Sequence, residues 1–401
     1  MAMRRCNGSL CLVVLTLAWG QAAIATAQEV SGDSQTAMQL FDTFVGRADR
    51  PKPVEADRNS PVAAGRYFDL LRRMPSDACR HCGMLESGMD RFAVIHGSEV
   101  TAEQYAKELE DAQPWIEEFI SAALLEKGDI RLYGSFRDRA LAANDPRLSL
   151  LGNLRKADRL LRDDAVRLWV GGRHDQALRR LAACLGVARH LGEEHYNDFV
   201  PLVAENEIDH ISEMVRQMGA AGGPKDLQCE ELRRAVGALD PSDPSRLRAN
   251  WRAGAEARLG FAETESKGDH LSERLIGELA ATKVAGETFS RLFDSLIENK
   301  DGKPALDAPA LLRRLQQELG DVKAKDARET LARAREEIQR IDREWTHPEA
   351  DLAVPKDQID SAGIMEYILG APGYCRKYWA DECRQVRAMR IAVGLRVEDS
   401  R

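Results

Sequence analysis

Residues 154–192 read LRKADRLLRDDAVRLWVGGRHDQALRRLAACLGVARHLG, and this stretch decides the fold class. Leu154, Ala157, Leu161, Ala165 and Leu168 recur at steps of three or four. Ala177, Leu181, Cys184, Ala188 and Leu191 do the same after the break Gly171-Gly172. Each series is the apolar stripe of an amphipathic helix. A third stripe follows at Val200, Ala204, Ile208, Ile211, Val215 and Met218. Helices joined by loops this short pack as antiparallel neighbours.

Working outward, the spacing predicts helices over 102–112, 114–126, 225–238, 245–264, 271–299, 308–319, 324–345, 357–369 and 375–395. Thr101-Ala102-Glu103-Gln104 fits a capping box, and Asp243-Pro244 starts the helix after it. Ser60-Pro61 pairs an N-cap with proline at the first helical position, opening a helix that Pro75 stops. The window 326–345 carries so many charges that it reads as a solvated, coiled-coil-like helix. No window keeps the strict alternation of a strand. The expectation is an all-α chain. Residues 158–191 also fit the tetratricopeptide template at Leu161, Ala165, Leu168, Gly172, Ala177, Leu181 and Cys184. The expected architecture is therefore antiparallel helix hairpins in a tetratricopeptide-like right-handed helical array, with the template hairpin at 152–192.

The N-terminus has a different grammar. Arg4 and Arg5 precede an apolar run from Leu10 to Trp19, and Ala25-Thr26-Ala27 follows. These are the three regions of a secretory signal peptide, with a cut expected before Gln28. The run is about half the ~20 apolar residues that a membrane anchor needs. The expected organisation is a signal peptide at 1–27, a short helix and flexible linker at 28–58, and an all-helical domain at 59–401 that ends in the helices of 357–395. The mature chain is expected in the periplasm or outside the cell, with no transmembrane anchor.

The 401 residues are 44% apolar and 30% charged, with 65 acidic against 57 basic side chains. A net charge of −8 repels phosphate, so a dedicated nucleic-acid binder is excluded. Arg155, Arg159, Arg162, Arg167, Arg173, Arg179 and Arg180 interleave with Asp158, Asp163, Asp164 and Asp175, which reads as a mixed, solvated surface. No Gly-rich phosphate loop, nucleophile elbow or EF-hand loop is present.

Six cysteines lie beyond residue 27. Cys184 sits on an apolar face and reads as a small buried hydrophobe, as does Cys229. Cys79, Cys82, Cys375 and Cys383 are disulfide candidates for an oxidising compartment. On one helix Cys375 and Cys383 would be ~12 Å apart, beyond the ~7 Å limit of a bridge, and would then pair with Cys79 and Cys82. Two alternatives stay open, a redox pair at Cys79-x-x-Cys82 without the usual βαβ context, and a four-thiolate zinc site. Among the remaining groups, Glu205, Glu207 and His210 are metal-ligand candidates, since Glu207-x-x-His210 has the spacing of di-iron bundles. With eight histidines and 33 glutamates, chance alone gives about one such pair. The bland alternative is an ion-paired or solvated helix face.

The runs Leu154 to Leu161, Gly172 to Leu178 and Ala188 to Glu194 resemble a group of exported helical proteins that occur as multiple relatives in planctomycete-type bacteria. Ser60 to Pro75 is similar to their first helix, and Arg384 to Leu395 to their last. The resemblance implies an exported tetratricopeptide-like fold and carries over no catalytic residue or cofactor. Taken together, the chain is expected to be a non-enzymatic helical scaffold that binds a protein or peptide partner of the cell envelope. The alternative is an exported metal-binding protein or metalloenzyme using the 190–210 carboxylate and histidine cluster.

Overall fold

The Thr101 hydroxyl accepts the Gln104 amide at 3.2 Å, and the Gln104 side chain accepts the Thr101 amide at 2.9 Å. The expected capping box thus opens a helix where the sequence placed it. The computed structural model describes residues 57–83, 85, 100–128, 130, 146–193, 199–267, 269–280, 283, 308–347, 363–370 and 372–396. The signal peptide expected at 1–27 and all but the end of the short helix and linker expected at 28–58 lie outside these residues. The helices are α1 (Ala63–Arg72), α2 (Ser76–Arg80), α3 (Ala102–Asp111), α4 (Gln113–Ala123), α5 (Pro146–Val170), α6 (His174–Gly192) and α7 (Phe199–Gly222). A 3-10 turn (Pro224–Leu227) leads to α8 (Glu230–Gly237) and α9 (Leu247–Glu265). Residues 273–280 are helical, and α10 (Ala308–Gly320), α11 (Ala324–Glu344), α12 (Ile364–Leu369) and α13 (Pro372–Ala392) complete the order. The chain is all-α. Among the described residues no strand forms beyond an isolated His270–Lys323 bridge.

Two compact units emerge. The first draws on Pro51–Gly134, Pro146–Trp251 and Tyr374–Arg401, and it is organised around α6. Gly172, with φ +75°, ends α5: the Gly172 amide bonds Trp169 O and the Arg173 amide bonds Leu168 O at 2.8 Å. This left-handed cap turns the chain back within three residues, so α6 runs antiparallel to α5. From Ala177 to Gly192 only Arg179 and Arg189 escape full burial, because α6 packs against α5, α7, α8 and α4. Gly186 permits the α4 contact, since a Cβ there would meet the Ala123 carbonyl oxygen at 2.0 Å.

Boundaries shift where local chemistry demands it. Helix α1 begins two residues beyond Pro61, and Ser60 Oγ accepts the Val62 amide at 3.3 Å. The stretch expected to be one helix at 225–238 is split by extended backbone at Cys229, which N-caps α8. Arg246 takes φ +59°, so α9 starts at Leu247, and Asp243 accepts the Arg248 and Ala249 amides from before that break.

The second unit lies within Arg252–Gly373. Ala327, Leu331, Ala334, Ile338, Ile341 and Trp345 are buried along α11, which packs on α12. The solvated helix expected from charge density therefore buries one full apolar stripe, while Arg340 pairs with Glu337 and Glu344 beside it. The buried Arg258 guanidinium donates from Nε to Ile368 O at 2.7 Å near the end of α12.

Candidate functional site

Several of the interleaved charges of α5 and α6 turn inward. Asp158, Arg162, Asp163, Asp164 and Arg180 are each at most 2% exposed. This corrects the expectation of a mixed, solvated surface for these five, while Arg173 and Asp175 are exposed as expected. The reason is coverage: α5 contacts α1, α2 and α3 as well as α6, so more than its apolar stripe is enclosed. Arg162 is the central cation, 3.0 Å from Asp158 on its own helix and hydrogen-bonded to Glu207 of α7. Arg155 stands 3.6 Å from Glu207. Burial opposes the Glu207 charge, but Arg162, the neighbouring Asp158 and Arg155 outweigh it and hold the carboxyl well below its usual range. Burial and the Glu207 charge push Asp158 up, so Asp158 is the member of the pair that holds a proton. Cys184 Sγ lies against Asp158 O at 3.8 Å, buried as expected.

Two further aspartates tie α5 to its covering helices. Asp164 accepts Arg180 Nε at 2.9 Å, Arg167 Nη2 at 2.6 Å and Gln113 Nε2 at 3.1 Å. Asp163 accepts the Gly83 amide at 2.6 Å, the Leu85 amide at 3.1 Å and the Tyr105 hydroxyl at 2.7 Å. At the end of α6, His190 Nε2 meets Leu125 O at 2.8 Å and Nδ1 meets the Tyr67 hydroxyl at 2.9 Å. A carbonyl only accepts, so Nε2 carries the proton and Nδ1 accepts from Tyr67. Burial and then Arg189 push His190 down to about 4, which keeps it neutral.

The second cluster is acidic. Glu205 is buried on α7, and burial followed by the Asp209 charge pushes it up to about 8. Glu382 of α13 is completely enclosed and accepts Ser245 Oγ at 2.7 Å. Burial, with the charges of Glu205 and Asp243 adding to it, pushes Glu382 well above the carboxylate range. Asp243 is pushed up to about 6 by burial despite its two amide donors. Gln385 of α13 donates to Asp209. Burial with few cations nearby favours the protonated carboxyl, most strongly at Glu382 and Glu205. The Ser245–Glu382 and Gln385–Asp209 bonds join the 240–246 turn and α7 to α13.

The three metal-ligand candidates therefore divide. Glu207 is held by the arginines of α5, with His210 near enough to help keep it ionised. Glu205, two residues earlier, is engaged by Asp209 and Glu382. Among the described residues no group of three histidine, cysteine, aspartate or glutamate side chains is placed to hold a metal ion.

The disulfide candidates also divide. Helix α13 begins before Cys375, so Cys375 and Cys383 share it and cannot bridge each other. Cys383 Sγ approaches Ser242 O at 3.4 Å, while Cys79 and Cys82 neighbour Lys156 and Arg159 of α5. All four are thiols here, and the expected staple from 79–82 to the last helix is not formed. Sequence reasoning missed Glu382 altogether. It had the signal for the ionic core, because Asp158 and Arg162 stand beside Ala157 and Leu161 at the same helical spacing.

Comparison of the chain with family models, curated proteins and solved structures returns no match. No described helix is long and apolar enough to cross a membrane.

Proposed function

We propose that this chain is an exported, non-enzymatic scaffold, a tetratricopeptide-like right-handed array of antiparallel hairpins that binds a protein or peptide partner in the cell envelope. One observation carries the reading. Helices α5, α6 and α7 follow one another in sequence, and α6 packs against both α5 and α7, the contact pattern of stacked hairpins. The polar groups that looked chemically able support the same reading. Arg162, Glu207, Asp164 and His190 are spent on internal bonds that fix helices to one another. Arginine-rich and acidic positions then brace the array, and partner recognition falls to its outer faces.

The test uses the full precursor in the cells that make it. The reading expects recovery from the periplasm with Gln28 as the first residue, eluting in a complex larger than the chain alone. A cytosolic chain retaining Met1, or one that elutes alone at native abundance, would overturn it.

A further inference from the structure

The turn that carries Cys79 and Cys82 is anchored on both sides. Cys79 sits in the last turn of α2, with its amide bonded to Pro75 O at 3.1 Å. His81 closes the helix and is fixed by Glu108 at 2.8 Å. Gly83, at φ +91°, hands its amide to Asp163. Cys82 follows the C-cap of α2, so the two cysteines stand about one helical turn apart, with β-carbons about 5–6 Å from each other. Bridging requires the backbone after Arg80 to draw them in by about 1–2 Å. Each thiol stands within electrostatic range of the other, and both are partly exposed.

A cavity of about 260 Å³, open to solvent, lies beside this turn. Leu71 and Met74 give it an apolar wall, Ser76 and Asn153 a polar one, and Arg80 and Lys156 make it cationic, with Asp77 3.9 Å from Arg80. Cys79 lines the cavity and Cys82 does not. We infer that Cys79 and Cys82 form a dithiol site for a small anionic disulfide, with Cys79 taking the first bond and Cys82 resolving it. The inference is independent of the partner-binding reading.

The chemistry balances with the disulfide as oxidant. The Cys79 thiolate attacks one sulfur of R–S–S–R, forming a Cys79–S–S–R bond and expelling R–S⁻, which takes up the proton Cys79 lost. The Cys82 thiolate then attacks the Cys79 sulfur, forming the Cys79–Cys82 bond and expelling the second R–S⁻, protonated in turn. Two protein thiols are oxidised and one small disulfide is reduced to two thiols. Carboxylates on R would meet Lys156 and Arg80. Burial pushes Cys79 up to about 12 and Cys82 up to about 11. The groups facing them are Lys156, Arg159, Arg162 and Asp163 of α5, with Tyr105 of α3. Exchange is therefore slow at neutral pH, and its rate climbs about tenfold per pH unit without the plateau near pH 8.5 of an exposed thiol.

The experiment incubates the reduced full chain with oxidised glutathione or neutral hydroxyethyl disulfide, with acid quenching, thiol counting and peptide mapping. The wild type is expected to lose two thiols to an internal 79–82 bond. Cys82→Ser should trap glutathione on Cys79, whereas Cys79→Ser should leave Cys82 almost unmodified. Lys156 also favours both thiolates, so Lys156→Gln should slow both disulfides and slow oxidised glutathione about threefold more than the neutral one. The order of attack can also be read in the wild type, by mapping the mixed disulfide at early quench times, so a misfolded variant does not decide the matter. An adduct that forms first on Cys82, a bridge to Cys375 or Cys383, or no loss of thiols would overturn the inference. Equal slowing of both disulfides by Lys156→Gln would overturn the anionic specificity.

Discussion

Glu205→Gln replaces a buried acid with its closest uncharged shape, and its consequence can be worked from the acidic cluster. Folding raises the Glu205 carboxyl from an ordinary 4.5 to about 8. Between those values the folded chain holds a proton that the unfolded chain has released. Stability from this group is therefore complete below about pH 4.5 and is lost as pH rises through 8. The loss runs at about 1.4 kcal/mol per pH unit midway and tails off near the two pKa values, so between pH 5 and pH 8 it amounts to about 3.5 kcal/mol. Glutamine cannot ionise, and its presence removes the like charge beside Glu382 as well. Urea unfolding of both proteins, followed by far-ultraviolet circular dichroism from pH 5 to 9, reads the difference directly. The variant should gain on the wild type steadily up to pH 8 and hold its lead above it. Parallel profiles would show that Glu205 titrates as it does in water, and the buried acidic cluster would have to be abandoned.

Three other outcomes follow from the same packing. The His190 imidazole, lowered to about 4, should titrate there by NMR as the Nε2–H tautomer, and the fold should lose about 3 kcal/mol as pH falls from 6.5 to 4. Arg162→Met strands Glu207 beside a protonated Asp158 and should cost about 3–5 kcal/mol, while the double variant Arg162→Met/Glu207→Leu should recover much of it in the same urea assay. Gly186→Ala drives a methyl into the Ala123 carbonyl oxygen and should cost about 1–3 kcal/mol or more, visible as a lowered melting temperature.

The fold was legible wherever apolar spacing alone decides. The stripes at 154–168, 177–191 and 200–218 became α5, α6 and α7, and Thr101 and Gln104 capped α3 as their order implied. Burial of charge was not legible, because an arginine-and-aspartate stretch reads as solvated until one knows how many helices cover it. Arg162 is buried because α5 is enclosed by α1, α2, α3 and α6 together, a property of the tertiary arrangement. Glu382 met Glu205 across 177 positions of chain, a pairing no local pattern contains. The cysteines failed for a related reason. Spacing could state that Cys375 and Cys383 on one helix cannot bridge, but only the structure places the start of α13 at Pro372.

The central claim is that this helical array works by holding a partner in the envelope. Lysine-directed cross-linking in intact cells, with a reagent that does not pass the inner membrane, tests it most directly when the linked lysines are mapped by mass spectrometry. The account predicts links from surface lysines of this chain to one recurrent envelope protein, at near-stoichiometric yield. Links only within the chain, or a chain beyond the reagent's reach, would contradict it.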